Sequence, residues 1–432
     1  MARREKEKDV SFLGRVLIVF KPIYKWIKDK RIVHTTLEKQ KNLANYKGQE
    51  SAEEAKISYG FSLARIISVI LLISLLSVTV LFGGSALSYE KVYYMFKDIS
   101  YIKSFGESMP SVLSYSEPVQ NQVFCSFKGG LAVASDSEIK IFTSTGRVTM
   151  SQGSEFSNPK MSASSQYLLI YDQGSNTYSV YNSFTLLHSE RLDYPISYAE
   201  MAENGSFLLV TSSERHVSVV KIYDSEFNPI TEYSKNDRVI SASLSSDGRY
   251  AAVLSMDAKE GGSVSYLNVI DCNKNEIVSS LTYSGSMPYK CSFLADDRIA
   301  VILDNKLCVV GRNGKLRGEY YYSSSLERID VEGDRVALLF STPGSSNQKI
   351  LSVFNKEGKM TRNESIQGSV RDLKLLADAV YLLQSGKVMR INISLGTRDV
   401  CEVDTVDASL VVFHDGKVAV CTKALARYIT FN

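Results

Sequence analysis

The sequence predicts an all-β fold: an eight-bladed β-propeller, with seven blades as the alternative, preceded by one transmembrane helix and a short helical N-terminal segment. Two patterns carry this expectation. A strand-turn-strand unit recurs about every 40 residues over the last three quarters of the chain, which is the signature of a repeat array. Ahead of it stands a run of 24 uncharged residues, positions 66–89, whose first 17 are aliphatic with a few hydroxyls.

Residues 1–65 form a basic segment, with 15 Lys and Arg against 8 Asp and Glu, a net +7. The rest of the chain has 35 against 39, a net −4, so charge divides at the apolar run. Within 12–28, apolar residues fall near helical spacing while Arg15, Lys21, Lys25 and Lys28 carry charge. Phe12, Val16, Phe20 and the single tryptophan, Trp26, are the residues expected to sit at the surface of an anionic inner leaflet. Pro22 interrupts that helix, and a partner protein is the alternative occupant of its apolar face. Residues 35–57 are polar and read as a linker.

Residues 66–86 suit a bilayer. At about 1.5 Å per residue, some 20 helical residues cross a hydrocarbon layer of roughly 30 Å, and a helix satisfies its own backbone there. Arg65 bounds the segment, and Ile66, Leu72, Leu76 and Phe82 give it apolar surface. A signal peptide lies close to the N-terminus, whereas 65 mostly polar residues precede this run. Lys47, Lys56 and Arg65 on its N-terminal side place that side in the cytoplasm. The expected location is the cell membrane, single-pass, with a stalk at 87–109 and an extracytoplasmic domain at 110–432.

The repeat is visible as apolar strands: LAVAS from Leu131, YLLIY from Tyr167, FLLVT from Phe207, YAAVL from Tyr250, IAVIL from Ile299, VALLF from Val336, VYLLQ from Val380 and VAVC from Val418. Turn formers such as Asn204-Gly205, Asp247-Gly248 and Asp415-Gly416 precede several of them. Being apolar on both faces, these strands fit sheets sandwiched between neighbours. A second strand follows each. Aligned on Phe142, Tyr181, Tyr223, Ile270, Val310, Phe354, Ile393 and Phe431, the steps are 39, 42, 47, 40, 44, 39 and 38 residues. About four strands fit each unit, which points to propeller blades. The eighth unit stops where its fourth strand would start, so PSVLSYS at 110–116 is expected to complete it and leave no open edge.

A basic single-pass N-terminus followed by weak repeats such as SLSSDGRYAAVLS, from Ser243, resembles the bacterial DUF5711 family of membrane-anchored propellers. More distantly the repeats are similar to WD40, YVTN and quinoprotein-like propellers, without the Trp-Asp dipeptide of the first or a tryptophan docking motif of the last. The resemblance implies architecture and location and brings no catalytic residues with it.

The chain shows little chemistry of its own. His34, His188, His216 and His414 are scattered and have no metal-ligand spacing. Residues 311–318, GRNGKLRG, look like a phosphate loop only superficially and read as an Asn-Gly hairpin. Cys125, Cys272, Cys291, Cys308, Cys401 and Cys421 contain no Cys-x-x-Cys and read mainly as small buried hydrophobes, with disulfides as the alternative. No catalytic, cofactor or metal residue is assigned. Insertions at 257–263 and 342–348, with Lys259, Glu260, Pro343 and Asn347, are the candidate binding loops. The tyrosine run at 320–322 is expected to be packing. A net-negative domain outside the cytoplasm disfavours nucleic acid. The expected partners are the lipid bilayer and an envelope or membrane protein bound by a non-catalytic scaffold. The alternative is a propeller that binds or hydrolyses carbohydrate or peptidoglycan fragments.

Overall fold

The computed structural model describes residues 110–115, 121–259, 262–404 and 407–431, together with Arg65, Ser68, Val69, Ile70, Ser74 and Lys97. The chain divides into two compact units, 1–95 and 96–432. In the first, the described residues are helical. Ile66, Leu72, Leu76 and Phe82 of the expected anchor, and Phe12, Val16, Phe20 and Trp26 of the interfacial helix, lie outside the described residues. No helix among the described residues is long and apolar enough to cross a membrane.

The second unit contains eight four-stranded antiparallel sheets, which settles the blade count at eight. Blades 1 to 7 occupy 123–153, 159–191, 198–235, 238–284, 288–321, 326–367 and 370–402, each in simple meander order. Blade 8 takes three strands from 409–429 and its outer strand from Val112–Ser114. There Val112 pairs with Arg427 and Ser114 with Leu425, so the chain just before blade 1 closes the ring as the sequence suggests.

Eight hydrophobic clusters fill the eight seams between blades. The second strand of each blade explains why the repeat is apolar on both faces. In Leu168–Asp172, Leu168 and Ile170 pack toward blade 1, while Leu169 and Tyr171 pack toward blade 3. Strand alternation thus sends every other residue into a different seam.

The register markers turn out to be backbone features. In blades 1 to 6 a bulge falls at Phe142, Tyr181, Tyr223, Ile270, Val310 and Phe354, where the outer strand carries one extra residue after its turn. Such bulges bend a strand and increase its local twist. In blade 5 the preceding turn is the expected Asn-Gly hairpin, closed by Gly311 N–H to Lys315 O at 2.8 Å, with Gly314 at φ +78°. A second bulge recurs in the inner strands of blades 4 to 7, at Ile240, Tyr289, Glu327 and Arg371.

Candidate functional site

Blade topology gives the ring two faces. The upper face carries the turns between second and third strands and the connections from each outer strand to the next blade. The lower face carries the other turns. Both insertions singled out in the sequence fall on the upper face, and they are extended hairpins more than loops. In blade 4, Tyr250–Lys259 and Gly262–Asp271 run 10 residues each, paired out to Lys259 and Gly262. In blade 6, Arg335–Thr342 and Ser345–Asn355 run 8 and 11, paired out to Thr342 and Ser345 around exposed Pro343. The corresponding strands of blade 5 have 6 residues each. At roughly 3.3 Å per residue, the blade 4 hairpin rises about 13 Å beyond them. Glu260 lies outside the described residues, as does the side chain of Lys259. Asn347 is exposed, and its carbonyl accepts the Gly368 N–H at 2.7 Å.

Blade 5 therefore lies in a saddle between two walls, and its upper end is apolar and aromatic. Met287 is 51 %, Tyr289 47 % and Tyr321 61 % exposed. Tyr289 owes its exposure to the inner-strand bulge, which takes it out of the register that buries its neighbours Pro288 and Cys291. The tyrosine run divides in function. Tyr320 packs on Phe354 and Tyr322 on Phe340, both at 4.9 Å between ring centres, as core residues of the seam with blade 6. Tyr321 faces solvent. The Lys306 ammonium lies 5.1 Å from the Tyr321 ring and 5.6 Å from that of Tyr283, within cation–π reach. It also bonds Glu319 at 2.7 Å, and this hydrogen bond holds the Glu319 carboxyl below its usual range. The phenol oxygens of Tyr283 and Tyr322 are buried without a partner, and burial pushes both phenols up.

The central channel holds a second group that the sequence did not single out. An inner strand has one unpaired edge, and here side chains of one blade satisfy the next. Ser162 Oγ accepts the Met201 N–H at 3.0 Å, Ser243 Oγ the Phe293 N–H at 3.2 Å, and Asp330 Oδ2 the Leu375 N–H at 2.6 Å. Glu200 occupies the same repeat position and accepts from the Ser243 hydroxyl at 2.6 Å and the Tyr198 hydroxyl at 2.8 Å. Burial raises the Glu200 carboxyl above its ordinary range, against the pull of those hydrogen bonds and of the Lys290 ammonium. Asp330 is raised for the same reason, opposed by Lys374; Glu332, exposed at the end of the same strand, is also raised, by partial desolvation and by the charge of Asp330. These carboxyls are legible only once the ring is closed, because in the sequence they are ordinary acids near turns.

The remaining candidates are structural. Cys272, Cys291, Cys308 and Cys421 are buried free thiols, and Cys125 and Cys401 are half-buried free thiols. Burial pushes Cys272, Cys291 and Cys308 up to about 12 and Cys125 to about 11, far from thiolate reactivity. His188 meets Tyr178 at 3.3 Å and Glu190 at 3.6 Å. His216 meets Asn236 at 3.1 Å, beside an open polar groove of about 400 Å³ between blades 2 and 3. His414 is exposed on a lower-face turn. No group of metal-ligating side chains is assembled among the described residues.

Among solved structures, BamB from Moraxella catarrhalis is similar at 11 % identity and TM-score 0.52, over 75 % of this chain and 99 % of that one. The Pan2 WD40 domain of Neurospora crassa matches at 12 % and 0.44, over 62 % and 88 %. Hydrazine synthase of Kuenenia stuttgartiensis matches at 13 % and 0.47, over 64 % and 96 %. At such identities the likeness to BamB shows the propeller fold alone. No curated protein matches the chain in sequence. A family model described as a family of unknown function, DUF5711, matches residues 108–414.

Proposed function

Since the chain belongs to the DUF5711 family of unknown function, whose model spans most of the propeller, we propose that it is a membrane-anchored, extracytoplasmic scaffold that binds a membrane or envelope protein through its upper face, without catalysis. The observation that carries this reading is the blade 5 saddle, where Met287, Tyr289 and Tyr321 are exposed between two projecting hairpins. Tyrosines combine large apolar area with a polar end at low entropic cost, and they are enriched among the residues that dominate binding energy. The anchoring follows from residues 66–86 and the charge division around them.

A second reading, action on carbohydrate or peptidoglycan fragments, draws on Asp330 and Glu332. Two residues apart on one strand, their Cα atoms stand about 7 Å apart on the same face of the strand, and glycosidases likewise use paired carboxyls. Against it, an Asp330 oxygen is already engaged by the Leu375 N–H.

Photo-crosslinking tests the scaffold reading. With benzoylphenylalanine at Tyr321 or Asn347 in living cells, mass spectrometry should recover one membrane or envelope protein from both positions. Recovery of glycan alone would overturn it.

A further inference from the structure

Each blade ends in an outer strand whose far edge has no strand partner among the described residues. Such an edge presents a row of unpaired N–H and C=O groups, and proteins ordinarily protect it with charged side chains, with proline or by keeping the strand short. Seven of the eight outer edges follow that rule. Those of blades 2, 3, 5, 6 and 7 each carry at least two charged residues, and that of blade 3 opens on Pro229. Blade 8 offers only three residues, and blade 1 only four, 150–153, beyond its bulge.

Blade 4 departs from it. Its outer strand, Glu276–Ser284, is the longest of the eight at 9 residues, and Glu276 at the lower end is its single charge. Beyond the bulge at Val278, residues 279–284 read SSLTYS, with no charge, proline or glycine. One face of this run is fixed against blade 5. Ser279 Oγ donates to the Arg312 carbonyl at 2.9 Å, and Leu281 and Tyr283 pack into the seam between blades 4 and 5. Ser280, Thr282 and Ser284 stand exposed on the other face.

An open strand edge is met by another extended backbone, which alone presents donors and acceptors at strand spacing. Two copies of this run meet that need in each other. When they lie antiparallel about a two-fold axis at Leu281, that residue faces its counterpart, Ser280 faces Thr282 of the second copy, and Ser279 faces Tyr283. No charge meets a like charge, because Glu276 lies outside the paired run. Serine with threonine is a favourable cross-strand pair, and a run already held against blade 5 loses little freedom on pairing. We infer that two copies of this chain join edge to edge through the outer strands of blade 4, forming one eight-stranded antiparallel sheet across a two-fold axis. The two rings then stand with their upper faces pointing in opposite directions.

The test is the oligomeric state of the full chain in detergent, followed by analytical ultracentrifugation. The parent chain is expected to sediment as a dimer. Ser280→Lys together with Thr282→Lys sets lysine directly opposite lysine and should weaken self-association about tenfold. Ser280→Glu together with Thr282→Lys alters the same two positions but sets glutamate opposite lysine, and should restore the dimer. Matching circular dichroism spectra and melting curves show that both variants fold. A monomeric parent chain would overturn the inference. A dimer that withstands the double lysine change would overturn it as well, because the contact would then lie elsewhere on the chain. Loss of the dimer in both double variants would overturn the pairing about Leu281.

Discussion

Glu200 and Asp330 perform the same task at equivalent positions, joining the inner edge of one blade to the next, and each bears a carboxyl that burial raises. A raised carboxyl binds its proton more tightly in the folded chain than in the unfolded one. Stability therefore falls as pH rises from the ordinary value of 4.5 through the raised one. Glu200→Gln removes that loss and keeps an acceptor for the Ser243 and Tyr198 hydroxyls. The melting temperature of this variant relative to the parent should climb as pH is raised from 4.5 toward neutrality; a difference that stays flat would refute the assignment. Asp330→Ala leaves the Leu375 N–H unpaired at a sheet edge, at a cost of about 1 to 3 kcal/mol in chemical denaturation. Asp330→Asn keeps an oxygen there and should cost less. The reverse order would mean that charge, and not the edge bond, is what matters at this position.

At the scale of the element, ring closure depends on a strand of three residues. Leu113 is 7 % exposed and belongs to the seam between blades 8 and 1, while its neighbour Val112 is 42 % exposed. Leu113→Asp should destabilise the chain by about 3 kcal/mol or more, because a carboxylate is forced into an apolar seam, whereas Val112→Asp should change little. Equal melting temperatures for the two variants would argue against closure by this strand. The strand was legible in the sequence because the eighth repeat lacks a fourth strand and PSVLSYS lies just ahead of the first. The blade core was legible too, since an apolar residue at every position of a short strand has to serve two seams. The hairpin extensions were not. DAKEGGS at 257–263 is polar and glycine-bearing, and only pairing such as that of Ala258 with Ser263 shows that most of it is strand. The Tyr289 bulge was equally hidden, because a one-residue slip depends on the partner strand and leaves no mark in composition.

At the scale of the whole molecule, the two faces of the ring differ. The basic N-terminal segment and the apolar run come first, the chain then joins the ring at its lower face, and the hairpins and exposed tyrosines stand on the upper face. The proposed scaffold depends on the propeller standing outside the cell, with the basic N-terminal segment in the cytoplasm. Cysteine labelling tests this most directly, on a background in which half-buried Cys125 and Cys401 are replaced by serine. With Gln40→Cys or Val217→Cys, an impermeant maleimide applied to intact cells should label position 217, and should label position 40 only after the membrane is broken. Labelling at 40 but not at 217 in intact cells would contradict the account.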